Sequence, residues 1–422
     1  MRIKKISIIV PVFNEIATIE KIYYNLINFD FKREKEVIIV DDASTDGTRE
    51  FLKRKIKGAP SFVKILFNKK NQGKGATFKK GLAIATGDYL IPQDADLEYN
   101  PKEIIHLVEK AEKEDLLVVY GSRDRGIKNR YLYPHYYYGA KLLNIIFNIL
   151  YKQNVTDLET CYKLVDRNLL NFIDISESGF GLEAELTAKI GMIGVPIREV
   201  SISYKARSFG EGKKIKIKDG IRALYLIVKF FFSDLHYGLV DNLIRFLRKG
   251  QALSELRLSR NDTILDVGCG RQAVLGWEIR HKIKSYVGVD LEVSDVNIRN
   301  ISLIQSDAGK LGNLFPKKSF DKIVALAVIE HLTSPNKFLS DCFKLLKNRG
   351  SLIITTPDPA SKPILEVLAR LKIIDPKEIK DHKTYFAPKR LINLMKDAGF
   401  NKTLHKSFLL GFNGLFVATK NV

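Results

Sequence analysis

From residue 5 onward, apolar runs that end in acidic or polar residues alternate with stretches whose apolar positions recur every three or four residues. "ISIIVPVF", "EVIIVDDAST", "VKILFN", "DYLIPQDAD" and "LLVVYGSR" read as strands, and 15–29 and "ATFKKGLAIAT" as helices. Strands and helices in alternation predict a mostly parallel sheet covered by helices. In such sheets ligands bind at the carboxyl ends of strands, where Asp41, Asp42, Asp94, Asp96 and Arg123 fall. Near residue 233 the pattern changes. "SDLHYGLVDNLIRFLRKGQALSELRLSRND" reads as helical and basic, with no strand. A second series then begins with "DTILDVGCG", "SYVGVDLE", "ISLIQSDAG", "FDKIVALAVIEHL" and "GSLIITTPDP". The chain is therefore read as α/β throughout, with domains at 1–235 and 259–422 and a helical basic connector at 236–258.

The length of 422 residues agrees with two cores rather than one. The three cysteines, Cys161, Cys269 and Cys342, are scattered and form no disulfide framework or zinc spacing, which points to a reducing compartment. "MRIKKISIIVPVFNE" has a short apolar run followed at once by Asn and Glu, so it reads as a first strand rather than a signal peptide. No stretch has the roughly 20 uninterrupted apolar residues of a membrane span. The nearest, "IRALYLIVKFFF", is broken by Arg222 and Lys229. With 69 Lys and Arg against 48 Asp and Glu, the net charge of +21 favours anionic partners. Nucleic acid, acidic headgroups and phosphorylated substrates all satisfy that bias.

"QDADLEYNP" places Asp94, Asp96 and Glu98 on alternate positions after a strand. Carboxylates this close need a cation between them. With no His or Cys nearby, the donors are hard oxygens, which suit Mg²⁺ or Mn²⁺ shared with phosphate. A solvated acidic turn is the plainer reading of Asp-x-Asp alone, but three neighbours change it. Asp42 in "VDDASTDGT" is placed to accept hydrogen bonds from a nucleobase or ribose. The glycines and Lys74 of "NQGKGAT" suit close approach to an anionic tail, and Arg123 in "GSR" sits opposite the acids.

Together with "TDLETCYKLV", "GFGLEAELTAKI" and "SYKARSFGEGKKI", these motifs resemble the family 2 glycosyltransferases of GT-A fold, over about residues 5–230. The branch that transfers sugars to dolichyl and polyprenyl phosphates is the most similar. The resemblance implies that Pro11, Phe13, Glu15, Val40 and Asp42 line a nucleoside pocket, with Lys74, Asp94, Ala95 and Asp96 completing the donor site. It implies that Asp94, Asp96 and Glu98 hold a metal bridging the donor diphosphate, and that Arg123, Arg207 and Lys213 face phosphate groups. The expected partners are a nucleoside-diphosphate sugar and a polyprenyl (dolichyl) phosphate or lipid-linked glycan. A phosphate acceptor is already an anion and needs only cations to position it, which the excess of Lys and Arg favours. A sugar hydroxyl needs a base, for which Asp157, Glu159, Glu183 and Glu185 are candidates if they are not simply paired with neighbouring cations. "YLYPHYYYGAKLLNIIFNILY" and 219–232 suit an anionic membrane surface, or else ordinary packing on the sheet. The enzyme is expected in the cytoplasm, peripheral on the inner face of the membrane.

In the second half "ILDVGCG" is a strand running into a glycine turn, and Asp290 in "YVGVDLE" is an acid suited to ribose. That pair also describes dinucleotide binders. The later order of "IQSDAGKL", "SFDKIVALAVIEHL", "LLKNRGSLIITTPDP" and "LINLMKDAGF" resembles the Rossmann-like class I S-adenosylmethionine-dependent methyltransferases, over about 255–420. The resemblance implies that Asp266, Gly268 and Gly270 meet the amino-acid end of S-adenosylmethionine, Asp290 its ribose, and Asp307 with Ala308 its adenine. Gln272 stands where the usual pattern has its last glycine, which puts turnover in question. His382 is the favoured catalytic base, and His331 is the alternative, with an organising role in its helix. No "NPPY"-type tetrapeptide is present, which favours oxygen as the methylated atom. The leading expectation is an enzyme that builds and then methylates a glycan. Two rivals are a transferase acting on a glycan hydroxyl with a non-catalytic methyltransferase-like docking domain, and a nucleic-acid methyltransferase. The sugar-nucleotide motifs and the lack of an RNA-binding module argue against nucleic acid.

Overall fold

The structure is a computed structural model and describes residues 2–125, 133–208, 217–233, 239–371 and 373–421. It divides into two compact units, Met1–Phe231 and Phe232–Val422. In the first unit the strands are β1 (Lys5–Val12), β2 (Glu34–Asp41), β3 (Val63–Phe67), β4 (Tyr89–Pro92), β5 (Val118–Ser122), β6 (Lys163–Asp166) and β7 (Arg198–Ser201). They form one sheet in the order β3-β2-β1-β4-β6-β5-β7. β1 to β4 pair in parallel, β6 runs antiparallel between β4 and β5, and β7 is parallel to β5.

The five strands expected from the apolar runs are all present. β6 (KLVD) and β7 (REVS) carry too few apolar residues to announce themselves, whereas β4 (YLIP), equally short, has three large apolar residues in a row. Helix Ile19–Asn28 buries Ile19, Ile22, Tyr23 and Leu26, an i, i+3, i+4, i+7 stripe against the core. Glu36, a buried acid in β2, ties the sheet to the turn before β4. Its carboxylate accepts from Ser7 Oγ at 2.6 Å, Lys64 Nζ at 3.0 Å and the Gly87 N–H at 3.1 Å. Burial works against its ionised form, but these donors, Ser7 foremost, outweigh it and hold the group down at about 2.

In the second unit the strands are β8 (Thr263–Val267), β9 (Ser285–Asp290), β10 (Val296–Ile298), β11 (Ile301–Gln305), β12 (Phe320–Leu326), β13 (Leu346–Pro357), β14 (Lys402–Phe408) and β15 (Asn413–Thr419). The order is β10-β11-β9-β8-β12-β13-β15-β14, with β11, β9, β8, β12 and β13 parallel and antiparallel strands at both edges. The stretch expected to connect the halves forms helix Leu239–Leu256, and this helix packs on β12, β13 and β15 of the second unit. Arg248 Nε donates to Asn413 Oδ1 at 3.0 Å, and Lys406 pairs with Glu255 at 2.5 Å.

Candidate functional sites

A cavity of about 720 Å³ opens in the first unit at the carboxyl ends of β1, β4 and β5. Pro11, Phe13, Glu15 and Asp42 line it, as do Lys74, Asp94, Ala95, Asp96, Glu98, Arg123 and Arg207. Val40, expected in the nucleoside pocket, is wholly buried within β2 and is not part of the cavity wall. Lys213 lies outside the described residues.

Two of the protein's own cations, Lys74 and Arg207, pair with these acids. Leu97 takes a left-handed turn (φ 62°), which lets Asp96 Oδ1 accept from the Glu98 N–H at 3.1 Å. Arg207 then spans three carboxylates. Its guanidinium reaches Glu15 at 3.0 Å and Asp96 at 2.9 Å, and its backbone N–H donates to Glu98 at 2.8 Å. Lys74 lies 2.7 Å from both Asp94 and Glu183, and these two carboxylates keep it charged despite its burial. Compensation is incomplete at Asp96. Burial, then Asp94 and Glu98, push its carboxyl up to about 7 against the pull of Arg207.

Several of the expected site residues also make contacts within the protein. Asp42 accepts from Asn68 Nδ2 at 2.7 Å, the Gln72 N–H at 2.9 Å and the Gly73 N–H at 2.8 Å, so it anchors the "NQGK" loop. Arg123 makes a forked pair with buried Asp157 at 2.7 Å on both nitrogens. The glycines of that loop answer to the chain itself. A Cβ on Gly73 would lie 2.5 Å from the Ser178 carbonyl oxygen, and one on Gly75 2.4 Å from that of Glu177. Of the candidate bases, Asp157 is held by Arg123 and Glu183 by Lys74. Glu185 lies off the cavity, accepting from the Ser176 and Glu177 N–H groups. Glu159 is the exception. It lines the cavity, its Oε1 is buried without a hydrogen-bond partner, and burial followed by Glu183 lifts its carboxyl to about 7.

Two helices complete the wall, Pro134–Tyr151 and Ile217–Ser233. They touch where Tyr151 Oη donates to the Ile227 carbonyl at 2.7 Å. Each buries one apolar stripe and leaves a second in solvent. On the first, Tyr138, Leu142, Ile145 and Ile149 are exposed, Ile149 to 72%. On the other, Ile217, Ile221 and Tyr225 are exposed at a spacing of four. Among the described residues, no helix is long and apolar enough to cross a membrane.

In the second unit Gly268 and Gly270 both take positive φ (71° and 70°), forming the tight turn after β8 that only glycine adopts without strain. Asp290 Oδ2 accepts from the Gly270 N–H at 2.8 Å and so holds this turn. Asp266 is buried beneath it and accepts from Tyr286 Oη at 2.5 Å. Burial, countered by that bond, still lifts Asp266 to about 7. Asp307 is exposed and caps the short turn Ala308–Lys310 through the Gly309 N–H. Gln272 precedes Ala273, which is left-handed (φ 47°), and its buried Oε1 has no partner. His382 and His331 face each other with ring centroids 4.8 Å apart. Burial, followed by His331 and Arg248, brings His382 down to about 4.

Residues 7–173 match the family model "Glycosyl transferase family 2", and residues 231–405 match the model "Methyltransferase domain". The chain joins a family 2 glycosyltransferase domain to a methyltransferase domain. The glycosyltransferase domain is 28% identical over 218 residues to the dolichyl-phosphate beta-glucosyltransferase of Dictyostelium discoideum, covering 47% of this chain and 66% of that one. It is 28% identical over 219 residues to the undecaprenyl-phosphate mannosyltransferase of Micrococcus luteus, covering 50% and 87%. It is 33% identical over 174 residues to a prophage bactoprenol glucosyl transferase homolog of Escherichia coli, covering 40% and 55%. The chain thus spans between about half and nine tenths of the relatives it matches. The two sheets are those of a GT-A-like fold and a Rossmann-like methyltransferase fold.

Sequence reasoning missed Tyr204 in the glycosyltransferase domain. Its hydroxyl donates to Glu98 at 2.9 Å, and its ring lies 4.9 Å from the Arg123 guanidinium carbon. Its place in "SYKARS" beside Arg207 was the available signal.

Proposed function

We propose that the first unit transfers a sugar, with inversion, from a nucleoside-diphosphate sugar to a polyprenyl phosphate at a membrane surface. The second unit then methylates the product or a related saccharide on oxygen, with S-adenosylmethionine as donor. The observation that carries the first half is the cavity itself, which has an acid cluster matched by Lys74 and Arg207 at one side and two helices with exposed apolar stripes at the other. An amphipathic acceptor needs both, cationic groups for its phosphate and apolar surface for its chain. The names of the dolichyl- and undecaprenyl-phosphate transferases support that acceptor. The exposed stripes support a peripheral position on the inner face of the membrane.

Asp94, Asp96 and Glu98 fit a Mg²⁺ or Mn²⁺ ion, since they are hard oxygen donors and Asp96 remains under-compensated by Arg207. When bound, such an ion would stabilise the charge on the departing nucleoside diphosphate. Around it, Arg207 keeps Glu15, Asp96 and Glu98 in register, and Lys74 orients Asp94. The acceptor phosphate is its own nucleophile, so no proton must be removed. In the second unit the Gly268–Gly270 turn, held by Asp290, fits a cofactor that approaches backbone closely, and Asp266 offers a buried carboxylate to a cationic amino group.

One observation favours a second reading of the acceptor. Glu159 lines the cavity with an unpartnered oxygen and a carboxyl near 7, the condition of a general base for a glycan hydroxyl. A panel of UDP- and GDP-sugars with polyprenyl phosphate and Mn²⁺, counting label in the organic phase, decides between them. Metal-dependent label that falls about 1,000-fold in Asp96→Ala supports the lipid phosphate. Bound donor with no organic-phase label transfers the role to Glu159 and a hydroxyl acceptor.

A further inference from the structure

Glu330, His331 and His382 in the second unit each offer a ligand atom, and these atoms lie within 4.8 Å of one another. Glu330 and His331 belong to the turn Ile329–His331 that follows β12, and His382 follows helix Pro376–Lys380. Backbone bonds lock the two segments together, because the Lys383 and Thr384 N–H groups donate to the Glu330 carbonyl at 2.8 and 3.2 Å. The Glu330 side chain is wholly buried. Its Oε2 accepts from Thr356 Oγ1 at 3.1 Å, but its Oε1 has no hydrogen-bond partner. Leaving a buried carboxyl oxygen unmet is costly. His382 Nδ1 is bonded to Tyr385 Oη at 2.9 Å, which leaves Nε2 for another partner. Metal-bound histidines commonly have their second nitrogen fixed in this way.

We propose that Glu330, His331 and His382 bind a divalent transition-metal cation. Two imidazoles and one carboxylate suit Zn²⁺ or Fe²⁺ better than Mg²⁺. Arg248 acts on both Glu330 and His382 and opposes a cation, while Asp381 favours one. Three protein ligands leave coordination positions open, as in catalytic rather than structural sites. The site is close to the glycine turn in the chain fold, since Val328, two residues before Glu330, packs against Gly268, its Cγ2 2.4 Å from where a Cβ there would lie. On the methyl-transfer reading, the open positions would take adjacent hydroxyl oxygens of the saccharide.

The test uses the full chain carrying Asp96→Ala, so that the first unit's acids bind metal poorly. After chelator treatment, Zn²⁺ is titrated calorimetrically and Co²⁺ is followed by its visible absorption. One Zn²⁺ per chain at this site is expected, with affinity falling about 100-fold in both Glu330→Gln and His382→Ala. The Co²⁺ band should change when His382 is removed. Glu330→Gln keeps the shape of the side chain, so it carries the test if His382→Ala melts early. Equal Zn²⁺ affinity in a folded Glu330→Gln protein, or no Zn²⁺ binding in the parent chain, would overturn the site. Zn²⁺ bound without any S-adenosylmethionine binding would remove the methyl-transfer reading and leave the metal site standing.

Discussion

In the first unit, Asp94 and Asp96 meet Lys74 and Arg207 at 2.7 and 2.9 Å, while in the second, Asp266 and Asp290 meet a tyrosine hydroxyl and a backbone N–H. The first arrangement holds full charges of both signs in one cavity. An anionic ligand entering it finds cations already placed and exchanges one set of ion pairs for another. The second arrangement neutralises its acids with dipoles alone. A ligand that itself carries positive charge finds Asp266 poised near 7 and gains by ionising it. The contrast is the one that the proposed function requires of an anionic donor in one unit and a cationic cofactor in the other.

The comparison breaks most sharply at Arg207. Arg207→Lys keeps the backbone bond to Glu98 but cannot bridge Glu15 and Asp96 with a single ammonium, so sugar transfer should fall on the order of 100-fold while cofactor binding in the second unit is unchanged. Parallel assays of transfer and S-adenosylmethionine calorimetry on one preparation would show it. Loss of both would mean that the substitution unfolds the chain.

A buried acid away from either site shows what donors alone contribute. Glu36→Gln should lower stability on the order of 2 kcal/mol at pH 7. The folded carboxyl lies at about 2, below its ordinary 4.5, so its contribution is full above pH 4.5. It disappears as the pH falls through 2. Thermal melts of parent and variant should therefore converge across that window, and a gap that persists at pH 2 would assign the effect to packing.

The smallest effect is expected at Asp290. Asp290→Asn weakens the carboxylate bond to the Gly270 N–H and should reduce cofactor affinity about 10-fold without altering sugar transfer. Calorimetry reads the change directly.

Much of this was legible in the chain. Long apolar runs announced β1 to β5 and the parallel strands of the second unit, because strands buried on both faces need little else. Four-residue β6 and β7 carried no such signal, and β14 and β15 pair antiparallel at an edge the parallel pattern does not predict. At the site, residue type was readable and pairing was not. Arg123 lines the cavity, but its forked pair with Asp157, 34 positions on, could not be read from the sequence. The glycines near Lys74 looked like a phosphate cradle, yet two carbonyl oxygens about a hundred residues further along the chain already demand them.

The position of β6 bears on how the first unit is made. β3, β2, β1 and β4 are complete neighbours once residue 92 has left the ribosome. β5, synthesised next, reaches β4 only through β6, so it must wait until residues 163–166 have emerged before it can join the sheet. The nascent chain thus carries an open edge at β4 for about seventy residues of elongation, well into the time when the apolar helix Pro134–Tyr151 is also exposed. During that interval an unpaired strand edge and an apolar helix face are both open to wrong association.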